Sequence, residues 1–494
     1  MEPVDGRRRF AVLNPVDRSE VGQFDVNTRA DVEAALSKAR AAQKAWAQTP
    51  VRDRVKLMQA ALKLLLERQD AYIDIMISDT GRTRMETLFI EVFAACDSMN
   101  YYSRRAEKVL GDKRVGLHLL RLKKAKVVYR PLGVIGIITP WNGPFILSLN
   151  PTVQAVLAGN AVLIKPSEVT PLSAGLVEEL FTDAGFPPGL VQVLHGDGET
   201  GQALIEAGVD KISFTGSVRT GRKVGEACGR NLIPCTLELG GKDPMVVCAD
   251  ADVDRAAGGA VFGAMMNAGQ FCSSTERVYV VRDVAEAFTA KVVERVQQLE
   301  FGRDIGAMIF EPQAEIIRAH VEDAVAKGAK VLCGGASDGS YYQPTVLTEV
   351  THDMEIMTEE TFGPVLPIVV VDTEEEALRL ANDTRFGLGA SVWTRDKQRG
   401  EDLARRLDAG AVMINESSMA YGALEVPFGG WKESGVGQVN GSDGLLRYCH
   451  AQPIITDRFG AKEEGVWYPY TADKVDGIQK AAKWLFGTPL RWLM

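Results

Sequence analysis

Apolar residues recur at helical spacing through the first hundred residues of the chain. Residues 27–46 begin with Thr28 and Asp31, whose S/T-x-x-D/E spacing is typical of a helix N-terminal capping box. The apolar face of this predicted helix consists of Val32, Ala35, Leu36, Ala39 and Ala42. A second amphipathic helix is predicted from Arg52, and the same pattern resumes over residues 85–102. We expect these helices to pack on a core and to carry no catalytic side chain.

From Lys126 the pattern changes to short runs of β-branched residues separated by short helices, which is typical of an α/β domain with a mostly parallel sheet. The predicted strands are two runs within VVYRPLGVIGIITP, followed by Ala161–Ile164, Val191–Leu194, Lys211–Phe214 and Cys235–Leu239. The loops that follow read TPWNGP, KPSE, HGDG, FTGS and ELGGK. Because ligands of such sheets collect at the carboxyl ends of the strands, these loops are predicted to form a cofactor site.

A second α/β series follows a predicted helix that runs from Asp252 to about Asn267. Its predicted strands are Arg277–Val281, Lys330–Cys333, Leu366–Val371 and Ala411–Ile414. Its most specific loops are EETFGPV at 359–365, Asn415 and PFGGWKESG at 427–435. The glycines and prolines of these loops predict fixed turns, but local rules give them no function.

The composition is that of a soluble globular protein, and 494 residues with 46% hydrophobic content are too many for one core. We therefore expect two or three domains. The net charge of -9 is spread along the chain without a basic block, which argues against a nucleic-acid-binding surface. Arg7, Arg8 and Arg9 are not followed by an apolar run, so we predict no signal peptide and a cytoplasmic location.

Seven cysteines, at positions 96, 228, 235, 248, 272, 333 and 449, include no Cys-x-x-Cys pair and have no histidine at metal-ligand spacing. We expect neither a disulfide framework nor a metal site. Cys272, in AMMNAGQFCSST, follows Gly269 and Gln270 in a run of small and polar residues that predicts a turn. Taken alone, such a cysteine is more often a small buried hydrophobe, so its role depends on the rest of the chain.

Two loops offer groups for a dinucleotide, although each also has an ordinary interpretation. FTGSVRTG places Gly216 and Ser217 between a strand and a helix, where backbone amides approach a diphosphate, but it lacks the G-x-G-x-x-G spacing and by itself is an ordinary glycine turn. KPSE places Lys165 and Glu168 after a strand, where they suit ribose hydroxyls. In isolation a solvated lysine and a helix-starting Glu168 explain it equally well.

Taken together, these loops resemble the aldehyde dehydrogenase superfamily. The ordered series TPWNGP, KPSE, FTGS, LELGGK, GQFC, EETFGPV and PFGGWKESG carries the resemblance, which covers about residues 10–456. The resemblance implies an α/β fold with a Rossmann-like dinucleotide-binding domain, a catalytic domain and a small bridging sheet that pairs subunits. The implied boundaries are 1–116 and 129–240, 241–430, bridging segments 117–128 and 431–456, and an extension at 457–494. The implied bridging strands lie in Leu117–Val128 and Leu445–Thr456.

The resemblance makes Cys272 the nucleophile, and a thiolate suits attack on an aldehyde carbonyl. Asn142 matches the side-chain donor to the resulting oxyanion, together with the backbone amide of Cys272; one such donor is worth roughly 3 kcal/mol. Glu238 matches the general base that activates water to hydrolyse the thioester. The apolar neighbours of Glu238 predict burial and a raised pKa. Taken alone, a single acid at a strand end is a solvated one.

For the cofactor, the resemblance assigns Lys165 and Glu168 to the adenosine ribose, Gly216 and Ser217 to the diphosphate, and Glu360 to the nicotinamide ribose. Phe362 is expected beside the nicotinamide. Because Glu168 repels a 2'-phosphate while accepting hydrogen bonds from free hydroxyls, NAD is favoured over NADP.

The pocket candidates are mostly apolar and comprise Trp141, Phe145, Ile146, Met266, Phe271 and the segment 421–424. These stretches contain no arginine for a second carboxylate, so we expect an aliphatic or aromatic aldehyde rather than a semialdehyde acid. Two alternatives remain: a dehydrogenase that transfers the acyl group to coenzyme A, against which Glu238 speaks, and a catalytically silent binding protein on the same scaffold. A homodimer or homotetramer is expected.

The tail beyond Thr456 is the largest departure from the family pattern. Its apolar helical face consists of Val475, Ile478, Ala481, Ala482 and Leu485, followed by WLFGTPLRWLM. One interpretation is a helix that lies on a membrane surface through Trp484, Phe486, Trp492 and Leu493. The other, favoured because most apolar stripes belong to cores, is packing on the same or a neighbouring subunit.

Overall fold

Helices and strands alternate along the chain in a computed structural model that describes residues 3–4, 7–460 and 462–489. The helices are α1 Arg29–Trp46, α2 Val51–Thr80, α3 Arg84–Glu86, α4 Ala94–Leu110, α5 Pro144–Leu157, α6 Pro171–Asp183, α7 Gly198–Glu206, α8 Val218–Arg230, α9 Val253–Met265, α10 Arg282–Val296, α11 Glu311–Ala326, α12 Glu355–Thr358, α13 Glu374–Asn382, α14 Lys397–Ala404, α15 Gly441–Leu446 and α16 Ala472–Phe486. A π-helical segment, Thr87–Phe93, joins α3 to α4.

The strands are β1 Pro3–Val4, β2 Arg7–Leu13, β3 Glu20–Asp25, β4 Lys113–Val115, β5 Lys123–Pro131, β6 Val134–Ile138, β7 Ala161–Lys165, β8 Val191–Val193, β9 Lys211–Thr215, β10 Cys235–Glu238, β11 Asp243–Val247, β12 Thr275–Val281, β13 Lys330–Cys333, β14 Ser337–Asp338, β15 Tyr341–Tyr342, β16 Thr345–Thr348, β17 Val365–Val371, β18 Gly389–Trp393, β19 Ala411–Ile414, β20 Gly435–Val436 and β21 Cys449–Asp457. The predicted α/β fold class is confirmed.

The first helix begins where its sequence requires. Thr28 accepts a hydrogen bond from the Asp31 amide and Asp31 accepts one from the Thr28 amide, so the capping box is complete. The predicted apolar face of α1 is buried except for Ala42, which is partly buried. The capping box therefore sets the start of this helix, and the spacing of its apolar residues sets the side that is buried.

Two large sheets carry the fold. The six-stranded sheet has the order β20-β10-β9-β6-β7-β8, in which the five strands β6 to β10 run parallel and β20 is antiparallel. The seven-stranded sheet has the order β13-β16-β17-β12-β11-β18-β19, parallel except for β13. Because parallel strands end at one edge of their sheet, the loops after β6, β7, β9 and β10 lie side by side.

Each sheet has its own hydrophobic core. The first core takes its buried residues from positions 32–239, with Leu424, Leu445 and Tyr448 added from the end of the chain. The second takes them from positions 245–409. The link between them, Gly240 to Lys242, follows β10, so the end of this strand lies at the junction of the two cores.

A third sheet, with the order β21-β5-β4, lies close to the segments expected to bridge subunits, but its strands are shifted. Residues 116–122 are not in a strand, and Leu445 lies in α15 with its side chain fully buried in the first core. The apolar character of Leu445 therefore reflects core packing rather than strand pairing. Along β21 all residues from His450 to Asp457 are exposed.

The tail helix α16 covers most of the predicted amphipathic segment, whereas Arg491, Trp492 and Leu493 lie outside the described residues. No residue of α16 is buried. Within the described ranges, no helix has the length and apolar composition needed to cross a membrane.

Candidate active site

Cys272 lies on the turn that the sequence predicts, between α9 and β12. Helix α9 ends at Met265, and the next residues form a 3-10 turn in which Asn267, Ala268 and Gly269 have φ angles of 55°, 52° and 70°. Three consecutive residues in the left-handed region reverse the chain direction, since no regular helix of L-residues continues through them. The half-buried Cys272 is thereby placed at the junction of the two cores.

Glycine at position 269 is required by contact as well as by conformation. A Cβ there would overlap the backbone of Gly363 and approach the nitrogen of Pro364. These two residues belong to the EETFGPV loop, so the absence of a side chain at Gly269 brings the cysteine turn into direct contact with the loop that carries Glu360.

Two cavities meet at Cys272. The larger has a volume of about 700 Å³, and among its lining residues are Trp141, Asn142, Gly216, Ser217, Glu360 and Phe362. The smaller, of about 20 Å³, is lined by Glu238 together with Asn150, Tyr421 and Phe428. Since Cys272 lines both cavities, its thiol faces two separate spaces that different reactants can enter.

Glu238 is a buried carboxylate without protein donors. It ends β10, paired with Thr215 of β9 and with Gly435 of β20. Among the described residues, no donor lies within hydrogen-bonding distance of either carboxylate oxygen. Burial raises the pKa of Glu238 well above its usual value of 4.5, and the charge of Arg447 opposes this only in part. Such a group holds and releases a proton nearer to neutral pH than a solvated glutamate does.

The thiol of Cys272 is neutral in this environment. Burial, together with the charges of Asp243, Glu360 and Glu238, raises its pKa to about 12. Burial also raises the pKa of Glu360 to about 8 and that of Asp243 to about 7. The sulfur therefore needs a base to take its proton when it attacks an electrophile.

Asn142 lies beside the cysteine turn. Its side-chain Nδ2 donates to the carbonyl oxygen of Gln270 at 3.1 Å, two residues before Cys272. One N–H of the amide is used in this bond, and Asn142 also lines the larger cavity. Its role as oxyanion donor remains a prediction.

The loop that carries Glu360 is held by a buried pair that sequence analysis missed. Lys242 Nζ donates to Glu276 Oε2 at 2.5 Å, and the amides of Thr361 and Phe362 donate to the two oxygens of Glu276 at 2.8 and 2.9 Å. Glu360 itself accepts a hydrogen bond from the Gly241 amide at 3.1 Å. Lys242 belongs to the quoted ELGGK loop, but nothing in the sequence indicates its pairing with Glu276.

The N-terminal region, in which we expect no catalytic side chain, contributes a buried ion pair to the surroundings of the site. Arg82, which follows α2, and Glu91, in the π-helical segment, are both fully buried and contact the segments that carry Asn142 and Asn267. An arginine just beyond a helix end is usually solvated, so no sequence signal separates Arg82 from its neighbours.

The larger cavity fits a dinucleotide at its diphosphate and nicotinamide ends. Ser217 caps α8 by accepting a hydrogen bond from the Thr220 amide, and Gly216 precedes it at the amino end of this helix, where anions are favoured. Arg219 and Arg222 line the same wall. Phe362 packs against Trp141 with ring centroids 5.4 Å apart, which forms an aromatic wall near Cys272.

Lys165 and Glu168 lie apart from the other predicted cofactor residues. Among the described residues that line the larger cavity, neither is present. Lys165 ends β7 with its Nζ 3.6 Å from Glu168 Oε2, and its side chain is nearly buried. The two residues form an ion pair one strand further along the same sheet edge, and their contact with a ribose remains a prediction.

The prediction that Phe145 and Ile146 line the pocket is wrong. Phe145 and Ile146 are buried in the first core, where Phe145 packs edge-on against Tyr72 at 6.1 Å. The reason is that nearly every side chain of α5 is buried, and Phe145 and Ile146 face the core, whereas other positions of the same helix, such as Leu147 and Asn150, line a cavity. Trp141 lines the larger cavity and Tyr421 the smaller one, as expected of pocket residues.

Over the ranges that the structure describes, no group of three or more His, Cys, Asp or Glu side chains is arranged to hold a metal ion. The chemistry of the site therefore has to be derived from the thiol, the carboxylates and the amides described above.

Comparisons with known proteins agree on one family. Residues 2–454 match the model of the aldehyde dehydrogenase family. The chain is 40% identical over 484 residues to a 4,4'-diapolycopene aldehyde oxidase of Methylomonas sp., covering 97% of this chain and 91% of that protein. It is 42% identical over 470 residues to a putative NADP(+) succinate-semialdehyde dehydrogenase of Mycolicibacterium smegmatis, covering 93% and 90%.

Solved structures give the same result. A putative aldehyde dehydrogenase, PutA, of Anabaena variabilis superposes with a TM-score of 0.90 at 32% identity, covering 94% of this chain and 100% of that chain. A Mycobacterium tuberculosis aldehyde dehydrogenase in complex with NAD+ superposes with a TM-score of 0.86 at 34% identity, covering 92% and 96%.

We predict that Gly269→Ala lowers both the thermal stability and the turnover of the protein, because Ala is disfavoured at a φ of 70° and its Cβ overlaps Gly363. A left-handed non-glycine residue costs about 1–2 kcal/mol before the overlap is counted. The matched control is Gly175→Ala in α6, where a Cβ meets nothing within 4 Å. There alanine favours the helix by about 1 kcal/mol. Thermal unfolding of both variants checks this, and a Gly269→Ala protein as stable as Gly175→Ala contradicts it.

Proposed function

Because this chain belongs to the aldehyde dehydrogenase family, we propose that it oxidises an aldehyde to a carboxylic acid with NAD(P), through a covalent intermediate on Cys272. The observation that carries the proposal is that Cys272 lies between a large cavity lined by Gly216, Ser217, Glu360 and Phe362 and a small one lined by Glu238. A nucleophile with a separate space on each side suits a two-step reaction.

In the first step the Cys272 sulfur attacks the aldehyde carbon to form a thiohemiacetal. The raised pKa of the thiol means that its proton must leave during attack, and Glu238 is a carboxylate that lines the same cavity. The carbonyl oxygen becomes an oxyanion, and Asn142 is placed to donate the second N–H of its amide to it. Donors fixed before the reaction stabilise this charge without reorganising.

When bound, NAD(P) supplies the hydride acceptor. The larger cavity is suited to hold it, with Gly216 and Ser217 at the amino end of α8 for the diphosphate and Glu360 for the nicotinamide ribose. The Glu276 pair fixes the loop of Glu360 and Phe362, so both side chains stay beside Cys272. We assign residues 1–116 and 129–240 to dinucleotide binding on this basis, and residues 241–430 to the catalytic domain.

Loss of hydride leaves a thioester on Cys272, which water must hydrolyse. The smaller cavity, at about 20 Å³, is close to the space that a single ordered water needs. Among the described residues no donor contacts either oxygen of Glu238, so this carboxylate can accept a proton from that water. The proton that Glu238 took from the thiol passes to solvent before this step. The water proton then goes to Glu238, hydroxide adds to the thioester carbon, and Glu238 returns the proton to the sulfur as the C–S bond breaks and the carboxylic acid leaves. The narrow cavity favours water over coenzyme A as acyl acceptor.

NAD is the cofactor that the Lys165–Glu168 pair favours. Glu168 is about half exposed and its charge repels a 2'-phosphate, whereas its oxygens accept hydrogen bonds from free ribose hydroxyls. Lys165 tolerates either cofactor, so we assign NAD as preferred and NADP as a weaker alternative.

The residues next to Cys272 favour an apolar aldehyde, whose chain must extend out of the smaller cavity because that cavity has a volume of only about 20 Å³. Among the described residues that line the smaller cavity, none is positively charged, and apolar side chains of Leu147, Leu388, Phe428 and Val439 form much of the wall. A second carboxylate on the substrate would lose its hydration there without gaining a cation. The Methylomonas relative is named for an aldehyde of this apolar kind.

We also propose a homo-oligomer with a membrane-facing tail. The outer edges of β21 and of β19 have no strand partner within the described chain, and a second copy can pair there. Helix α16 exposes Val475, Ile478 and Phe486 by about half each. Packing of this helix on its own subunit is therefore wrong for the described residues.

The chemistry of the tail favours an anionic lipid surface. From residue 474 onward it carries Lys474, Lys480, Lys483 and Arg491 against Asp476 alone, in a chain of net charge -9. Exposed aromatic residues, of the kind enriched at membrane interfaces, precede and end the helix: Trp467, Tyr468, Tyr470 and Trp484. The match to the Methylomonas relative leaves about 3% of this chain uncovered, so it extends into the tail.

We predict that Cys272→Ala abolishes NADH formation, whereas Glu238→Gln forms its first equivalent of NADH more slowly than the wild type and then turns over about 100-fold or more slowly, because Glu238 is the base in both steps. Because burial raises the pKa of Glu238, the wild-type kcat should rise with pH through that raised value, and Glu238→Gln should lack this rise. Stopped-flow absorbance at several pH values measures both the first equivalent of NADH and the pH dependence of kcat, with the exposed Glu286→Gln as control.

Turnover that needs coenzyme A would indicate the acylating reaction. Unchanged NADH formation by Cys272→Ala would indicate a catalytically silent site.

We predict that kcat/KM for medium-chain aliphatic and aromatic aldehydes exceeds that for succinate semialdehyde by at least about tenfold, because the smaller cavity, on the Glu238 side of Cys272, has no cation among its described lining residues. A spectrophotometric panel with NAD and with NADP measures this preference. Equal values for decanal and succinate semialdehyde contradict the apolar assignment while leaving the reaction class intact.

We predict that the full chain floats with anionic vesicles at low salt and that a chain ending at Gly460 does not. Ile478→Glu, on the apolar face of α16, should reduce flotation, and Gln479→Glu serves as a control that adds the same charge off the apolar face. Sedimentation of each variant gives its mass. If truncation changes the oligomer mass and leaves flotation unchanged, the tail covers a second copy and the lipid assignment is wrong.

A further inference from the structure

A fully buried ion pair lies behind the candidate oxyanion site. Arg82 follows Gly81, which ends α2 in the left-handed conformation, and Glu91 lies in the π-helical segment. Arg82 Nη1 donates to Glu91 Oε1 at 2.7 Å, and both side chains are fully buried. Burying two charges is costly unless their remaining hydrogen-bonding groups are also satisfied, so the other contacts of this pair show what it holds.

The Arg82 guanidinium divides its donors among three segments of the chain. Besides Glu91, Nε donates to Asn267 Oδ1 at 2.8 Å, and Nη2 donates to the carbonyl oxygen of Asn142. The planar fork of an arginine fixes the angles between these bonds, so the two asparagines are held at a defined separation.

Glu91 also contacts the segment that carries Asn142. Its second oxygen, Oε2, accepts a hydrogen bond from the backbone amide of Ile146 at 2.7 Å, in the first turn of α5. The Arg82–Glu91 pair therefore contacts the chain at residue 142 and again at residue 146. The backbone that carries the Asn142 side chain is fixed at two points by one buried unit.

Asn267 connects this unit to the cysteine turn. Its Nδ2 donates to the carbonyl oxygens of Asn142 at 3.1 Å and of Gln270 at 2.9 Å. The Gln270 carbonyl is also the acceptor for Asn142 Nδ2. Both asparagine amides thus meet at one carbonyl two residues before Cys272, which couples the position of Asn142 to that of the nucleophile turn.

We propose that Arg82 is a positioning residue for oxyanion stabilisation, and that it fixes Asn142 and the backbone before Cys272 relative to each other through Asn267 and Glu91. The inference rests on the proposed role of Asn142. Arg82 does not line either cavity that contains Cys272, so it acts through the asparagines and not by contact with substrate.

The conformation of Asn267 adds a reason for a dedicated positioning group. Its φ of 55° is a conformation that non-glycine residues rarely adopt, and its backbone amide is held by Glu86 Oε1 at 2.6 Å. A small shift of a donor is expensive in catalysis, since a displacement of about 1 Å at a reacting centre costs of the order of 100-fold in rate.

The test compares Arg82→Gln with Arg82→Lys. Glutamine removes the charge and the fork, and we expect kcat to fall at least about 30-fold with KM for the aldehyde within about threefold. Lysine keeps a cationic donor to one or two of the three acceptors, so it should restore part of the lost kcat. A merely structural residue would not produce this split between kcat and KM or its partial rescue.

Arg54→Gln is the matched control. Arg54 is also a buried arginine of the N-terminal region, and its guanidinium donates to the carbonyl oxygens of Leu157 at 2.9 Å and Ala47 at 3.1 Å, away from both cavities. We expect its loss to lower the unfolding temperature while kcat of the folded protein stays within about twofold. Asn267→Gly is the second variant, because glycine suits the left-handed backbone and removes only the side-chain links.

A double-mutant cycle with Asn142→Ala decides the outcome. If Arg82 acts through Asn142, adding Arg82→Gln to Asn142→Ala lowers kcat little further. If the effects of Arg82→Gln and Asn142→Ala on kcat multiply, the positioning role is overturned. Wild-type kcat in Arg82→Gln or in Asn267→Gly also overturns it. If Asn142→Ala alone retains wild-type kcat, the proposed oxyanion role has failed, whereas a large effect of Asn142→Ala with none of Arg82→Gln refutes only the inference about Arg82.

Discussion

The left-handed turn at Asn267, Ala268 and Gly269 is the constraint on which the candidate site depends. Two of its residues carry side chains, and each such residue costs about 1–2 kcal/mol relative to a right-handed conformation. Hydrogen bonds from Asn267 to its neighbours and the close packing of Gly269 on Gly363 offset this cost. The turn ends α9 abruptly, so Cys272 lies at the junction of two cores and not inside either of them. A regular continuation of α9 would have carried the thiol away from Glu238 and Glu360.

Buried carboxylates at this junction are of two kinds. Glu91 and Glu276 accept hydrogen bonds on both oxygens, from Arg82 and Lys242 and from backbone amides, and they thereby fix the loops that they contact. Glu238 receives no such bond from the described residues, and burial raises its pKa. A carboxylate whose two oxygens both accept hydrogen bonds stabilises structure, whereas one without donors remains able to exchange a proton. The hydrogen bonds of these carboxylates thus distinguish Glu91 and Glu276, which hold loops in place, from Glu238, the candidate base.

Local sequence rules predicted the elements of the fold better than the contacts of the site. The capping box of Thr28 and the strand ends were predictable, because they follow from residues adjacent in sequence. The loops with Cys272, Glu238 and Glu360 were found through their order along the chain. Phe145 was misplaced because α5 is buried on nearly all sides, which an apolar run cannot distinguish from a pocket wall. Arg82 was missed because its three acceptors lie between 9 and 185 positions away along the chain.

The separation of the two cavities has a consequence for how one site performs two chemical steps. Leu147, Thr215, Leu239 and Cys272 line both cavities, so these four described residues form the wall between them. A wall of this kind keeps the space near Glu238 too small for a second large ligand while the larger cavity is filled. Water can then reach the thioester carbon from the Glu238 side without displacing what occupies the other side. In the proposed mechanism the order of the two steps is set by chemistry, because the thioester exists only after hydride transfer, and a space on each side of Cys272 allows both steps without movement of the nucleophile.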